Sequence, residues 1–322
     1  MPSPSLHRAA LLAALLSMLG SAAGAAPFAY ITNQGSHDVS VIDLASEQVV
    51  ATIPVGRSPA GVAASSRAGR VFVSNPDSKT ISVIDMRQAK VVDTLDAGEG
   101  PVGIDASADG QRVYVADWYS NRLVGFDAMK GGKPVFEAAV GQAPAGVAVH
   151  ADGNTVFVAE RDDDSVAFVD VASAKPRAHV KVGSHPFALC FDAVRERLYA
   201  MNVQSNDVSV IDTRKAAVIA TIPVGKAPYG AALADAGALL YVTNQHDDSV
   251  SVIDTESLKV LRTLRGFGYP EGVAAQGGKV YVVNWMDDNV SVLDARTGQA
   301  LQTIATGQNS RGFGAFIGAP SQ

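Results

Sequence analysis

The sequence predicts an all-β fold, a seven-bladed β-propeller with four antiparallel strands per blade. Three observations carry that expectation. A string that appears in full as YVTNQHDDSVSVIDT, from Tyr241 to Thr255, recurs along the chain. Its terminal aspartate returns at Asp43, Asp85, Asp127, Asp170, Asp212, Asp254 and Asp294, about 42 residues apart. A second landmark keeps the same period at Gly56, Gly98, Gly141, Gly183, Gly225, Gly266 and Gly307. Between landmarks, short runs of Val, Ile, Tyr and Phe alternate with Asn, Asp, Gly and Pro, the signature of strands joined by tight turns.

Four strands fit each period. In the fifth unit they fall at 198–202, 208–212, 218–225 and 230–234. A right-handed β-helix is the nearest alternative fold, but its coils are much shorter than this repeat. The chain after residue 26 opens on the second strand type, at 27–33, and ends on the first, at 312–317. The C-terminal strand is therefore expected to complete the N-terminal blade and leave no open ring edge.

Residues 1–26 read as a secretory signal: Arg8 precedes an apolar run over 9–19, and small residues follow around Ala23, Ala25 and Ala26. The run is about half the ~20 residues of a membrane-spanning helix, and no later segment is apolar enough to span a bilayer. Cleavage near Ala25 or Ala26 would deliver a single propeller domain, 27–322, to the periplasm or the medium. The lone cysteine, Cys190, allows no intramolecular disulfide and sits in an apolar stretch as a core residue. A formal charge of −6 argues against a duplex nucleic-acid partner, which requires a clustered basic face.

The strings YVTN, SVSVID, TIPVG and PxGVA resemble the YVTN-repeat β-propeller family over about residues 28–318. The resemblance implies the propeller fold. It also implies a range of roles: periplasmic propellers, surface-layer proteins, and propeller subunits similar to those of periplasmic amine dehydrogenases.

A residue present in every copy serves the blade, whereas a departure at a ligand-facing position is a candidate for function. The repeated aspartates precede turns and are expected to bond nearby backbone amides. Asn33, Asn75, Asn202, Asn244 and Asn284, with Asp117 and Glu160 as substitutes, are expected to anchor the following loops. Pro59, Pro101, Pro144, Pro186, Pro228 and Pro270 fix the approach to the innermost strand.

The residue after that proline departs from the repeat. It reads Ala60, Val102 and Ala145, then Phe187, Tyr229, Glu271 and Arg311, with Ser310 replacing proline in the last copy. The last four belong to consecutive blades and are expected to form a contiguous arc at the channel mouth. His185 and Tyr269, just before their prolines, join it, and the outer loops on that face add Trp118, Tyr119, Arg122, Arg161, His246 and Trp285. Glu271 and Arg311 are read either as ligand contacts or as an inter-blade salt bridge.

No histidine or cysteine spacing marks a metal site. The acidic loops at 161–164 and 245–248 lack the glycine and terminal glutamate of an EF-hand, which leaves calcium as a minor alternative. There is no nucleophile elbow, no catalytic set is assigned, and no cofactor is expected. The expected function is non-catalytic binding of a small molecule or protein partner at the mouth. One alternative is a lactonase-like hydrolase or lyase using His185, Tyr229 and Glu271; another is the propeller subunit of a periplasmic redox complex.

Overall fold

The computed structural model describes residues 27–320, so the expected signal segment lies outside the described residues. Seven four-stranded antiparallel sheets form the blades. Blade 6 shows the plan, with Pro228–Ala234 innermost, then Leu239–Asn244, Ser249–Asp254 and the outer strand Lys259–Arg265. The chain next crosses over 266–269 to Pro270, the start of the next inner strand. That crossover lies on the same face as the loop after Asn244, because Arg265, just before it, pairs with Ser249, just after that loop. This face carries the mouth.

The packing between blades explains the repeat. The second strand of each blade contributes one large aromatic, Tyr30, Phe72, Tyr114, Phe157, Tyr199, Tyr241 or Tyr281, and all seven are almost wholly buried. Each such burial stabilises the ring by about 1.5–3 kcal/mol. The anchoring asparagines act as expected: Asn202 donates to Asp207 Oδ1 at 2.6 Å and Ser209 Oγ at 2.9 Å, and Ser209 Oγ in turn accepts the Gly183 N–H. The repeated aspartates accept backbone N–H groups of the turns that follow, as Asp212 does from Arg214 and Lys215, both at 3.0 Å.

Inner strands converge so closely that the P-x-G pattern becomes a steric requirement. A Cβ on Gly61, Gly103, Gly146 or Gly230 would lie between 2.0 and 2.3 Å from a backbone oxygen of the next blade. Hydroxyls of the second strands then tie blade to blade: Thr243 Oγ1 donates to Glu271 O at 2.7 Å, and Ser74 Oγ to Val102 O at 2.6 Å.

The C-terminal strand does complete the N-terminal blade, pairing Ile317–Gly318 with Phe28–Asn33. It is shorter than the expected 312–317 because Gly312 and Gly314 adopt positive φ, 59° and 119°, and break the strand. The preceding residues lean onto blade 2, where Val62 N–H donates to Phe313 O and Ala64 N–H to Ala315 O. Among the described residues no helix is long and apolar enough to cross a membrane.

Candidate mouth site

The residue just before the inner-strand proline, or before Ser310, lies in the left-handed region in six of the seven copies, including His185 at φ 54° and Tyr269 at φ 55°. This conformation costs a side-chain-bearing residue about 1–2 kcal/mol, and a hydrogen bond holds it. His185 N–H donates to Asp164 Oδ1 at 2.8 Å and Tyr269 N–H to Asp248 Oδ1 at 3.1 Å. The acidic loops are thereby committed to the backbone. Asp163 likewise accepts the Gln142 N–H, and among the described residues no group of three or more His, Cys, Asp or Glu is placed to hold a metal.

The residues after the prolines meet at the mouth. Arg311 Nε donates to Glu271 Oε2 at 2.7 Å, and its Nη2 donates to the Tyr229 hydroxyl. Gln245 Nε2 donates to the other Glu271 oxygen at 2.7 Å. Burial pushes the Glu271 carboxyl above its ordinary value, and the Arg311 guanidinium pulls it back. Burial also raises the Tyr229 hydroxyl, again opposed by Arg311. The Phe187 ring lies 4.5 Å from Tyr229 and 5.0 Å from Phe313, so three rings fill the centre of the mouth.

Around this plug runs an aromatic rim. Trp118 lies 6.2 Å from Phe187 and carries the Arg161 guanidinium over its ring at 5.5 Å. On the opposite arc, the His246 imidazole bonds the Tyr269 hydroxyl at 3.0 Å, Tyr269 packs against Trp285 at 5.6 Å, and Trp285 Nε1 donates to Gln34. Tyr119 is 75% exposed beside Trp118 and Met286 is 62% exposed beside Trp285, so the rim offers apolar surface to solvent.

Thus Phe187, Tyr229, Glu271 and Arg311 come together in one cluster, Trp118 and Arg161 flank it, and His246, Tyr269 and Trp285 form a second arc. Among the described residues, no hydrogen bond or ring contact joins the His185 imidazole to Tyr229 or Glu271. Arg122 turns away from the mouth to pair with Asp117 and Glu137.

Sequence reasoning missed Gln245 and Phe313. Gln245 occupies the same post-anchor position as Trp118, Arg161 and Trp285, and Phe313 is the aromatic where other copies carry Val62, Ile104, Val147 or Leu189. Both departures were legible. Below the plug, the channel holds a cavity of about 320 Å³, lined from Phe313 down to Val149, Phe191 and Ala275 at the lower ends of the inner strands.

The family model for YNCE-like beta-propellers matches residues 63–152 and 133–277, more than half of the chain. The chain belongs to that family. No protein with curated annotation matches the sequence significantly. Among solved structures, hydrazine synthase from Kuenenia stuttgartiensis is similar with a TM-score of 0.75 at 20% identity, over 83% of this chain and 92% of that one. Dihydro-heme d1 dehydrogenase NirN, in complex with DHE, gives 0.67 at 16% identity, over 89% and 74%. A functionally unknown protein from Desulfotomaculum acetoxidans gives 0.77 at 15%, over 91% and 99%. At these identities the likeness is one of fold.

Proposed function

We propose that the chain is an exported, non-catalytic binding propeller that docks a protein partner on its aromatic mouth. The contiguous arc from Arg161 and Trp118 through Phe187 and Tyr229 to Arg311 and Glu271 carries this reading. Glu271 and Arg311 saturate one another and Arg161 pairs with Asp162, so what faces outward is a filled surface rimmed by Trp118, Tyr119, Tyr269, Trp285 and Met286. Aromatic side chains of this kind supply most of the energy at protein interfaces. A filled mouth suits a partner surface better than a small molecule that must enter.

Catalysis at the mouth has less support. Both Glu271 oxygens and the Tyr229 hydroxyl are already engaged, and a general base must be within reach of a substrate proton. The redox-enzyme names of two structural neighbours come with 20% and 16% identity and carry the fold alone.

The test uses a feature of composition: the chain has 2 tryptophans, and both stand on the rim. A partner recovered from the native compartment should shift the intrinsic tryptophan emission on titration. Trp118→Ala and Trp285→Ala should each weaken its binding by at least ~tenfold, about 1.4 kcal/mol. A partner whose affinity is indifferent to both substitutions would remove the mouth from consideration.

A further inference from the structure

The central cavity lies below the mouth plug and is a separate feature from the proposed docking surface. At one depth in the channel the successive inner strands carry Ala63, Asp105, Ala148, Cys190, Ala232 and Ala274, and the C-terminal segment carries Gly314. Six of these seven are small and uncharged. Asp105 breaks the series, and it does so in the wall of the cavity.

The Asp105 carboxylate is held in place by the backbone. Its Oδ1 accepts the N–H of Ala106 at 2.8 Å, and its Oδ2 reaches across to the next blade to accept the N–H of Val149 at 2.9 Å. Each oxygen therefore keeps further acceptor capacity. The lining contains no Lys, Arg or His, and among the described residues no cation pairs with Asp105. A carboxylate half-buried in a narrow, mostly apolar cavity without a counter-ion is poorly solvated, and a bound cation would offset that cost.

We propose that this cavity binds a small alkylammonium ion, with the ammonium on the Asp105 carboxylate and the alkyl chain against the wall formed by Ile104, Val147, Leu189, Val273 and Phe313. The volume, about 320 Å³, stands at the lower end of the ~300–1,000 Å³ range of ligand pockets. One carboxylate is too few for a divalent metal, which requires several oxygen ligands, whereas it suffices for an ammonium donor. Entry is from the face opposite the aromatic mouth, because the plug closes the upper end and the lining continues to the lower ends of the strands.

The acidity of the site fits this occupant. Burial pushes the Asp105 carboxyl up to about 6, against the lowering effect of its two backbone donors. Cys190, the other titratable group of the lining, is pushed up to about 12 by burial and stays neutral. On the strand paired with that of Asp105, Tyr114 lies opposite it, while Arg112 and Asp117 at the ends are paired with Asp127 and Arg122. On the neighbouring blade, His150 follows the inner strand and is tied to Asp152 and Glu196.

Calorimetric titration of the mature chain with n-butylammonium at pH 8 and pH 5 tests the proposal, with n-butanol and potassium as controls. The ammonium should bind at pH 8 and bind about tenfold more weakly at pH 5, where a carboxyl titrating near 6 is mostly protonated. Asp105→Ala installs the residue that four other copies carry and should weaken binding at pH 8 by at least ~tenfold. Its melting temperature and tryptophan emission would report that the ring is intact. The pH contrast in the parent chain needs no variant, so the proposal stays testable if Asp105→Ala misfolds. Absence of ammonium binding, equal binding of n-butanol, equal binding of potassium, or full binding by a folded Asp105→Ala would each overturn it.

Discussion

At the scale of single residues, Glu271 and Arg311 are the pair on which the mouth depends. Their side chains are 4% and 17% exposed and sit one blade apart. Removing one member leaves the other charged and withdrawn from water, which typically costs 3–5 kcal/mol. Glu271→Ala is therefore expected to lower unfolding stability by about 3–5 kcal/mol in a urea denaturation series. Replacing Glu271 and Arg311 together by Leu and Met should restore much of that loss, and a double variant no more stable than Glu271→Ala would contradict the pairing. Both residues were visible in the sequence as departures from the repeat. An inter-blade salt bridge was one of the two readings the sequence allowed, and the structure shows that bridge; the choice between bridge and ligand contact was not legible, because the spacing of copies gives neighbourhood but not the direction in which a guanidinium points. Asp105 is equally a departure from its own repeat position, where four other copies carry alanine, but it lies four residues past the proline and away from the mouth.

At the scale of the element, the inner strand decides what the repeat tolerates. A Cβ on Gly103 would stand 2.0 Å from Ala145 O, a backbone atom with nowhere to move. Gly103→Ala should therefore destabilise the ring by about 1–3 kcal/mol or more, read as a fall in the midpoint of thermal unfolding. Ala188→Gly, at the one inner-strand position where alanine replaces this glycine, should cost about 1 kcal/mol or less. Comparable losses in the two variants would refute the steric account. The sequence displayed P-x-G in five of the seven copies, with Ala188 and Ser310 as the departures, which sufficed to place the strand. The reason for the glycine lies between blades and becomes visible only when consecutive inner strands are set side by side. The closing strand was misjudged in length for a related reason: Gly312 and Gly314 resembled strand residues by position, and only their backbone angles reveal the break.

At the scale of the whole molecule, acids in two environments set opposing pH dependences. Backbone N–H groups hold Asp127, Asp212 and Asp294 below the ordinary carboxyl value, and serine hydroxyls do the same for Asp170 and Asp254. A carboxyl depressed in the folded state stabilises the fold above its unfolded value, near ~4, and loses that contribution as pH falls through the folded value. Asp105, raised to about 6, acts in the opposite sense: the folded state binds its proton more tightly, so stability falls as pH rises from ~4 to about 6. Scanning calorimetry from acid to neutral pH should thus show a steep loss below pH ~4 and a shallower decline up to about 6. Asp105→Ala should reduce the shallow decline, leaving the share of the Glu271 carboxyl, which burial also raises. A decline undiminished in the variant would show that Asp105 does not contribute to it.

The way the ring is shut also governs the order in which the molecule can be made. Phe28–Asn33 waits for Ile317–Gly318, and blade 2 waits for Phe313 and Ala315, so two blades at the start of the chain depend on residues synthesised near its end. Until those residues arrive, the innermost edges of both blades are open templates for another chain. The ring therefore closes as a late event of high sequence separation, which makes folding slow and leaves the nascent protein in need of protection against mispairing.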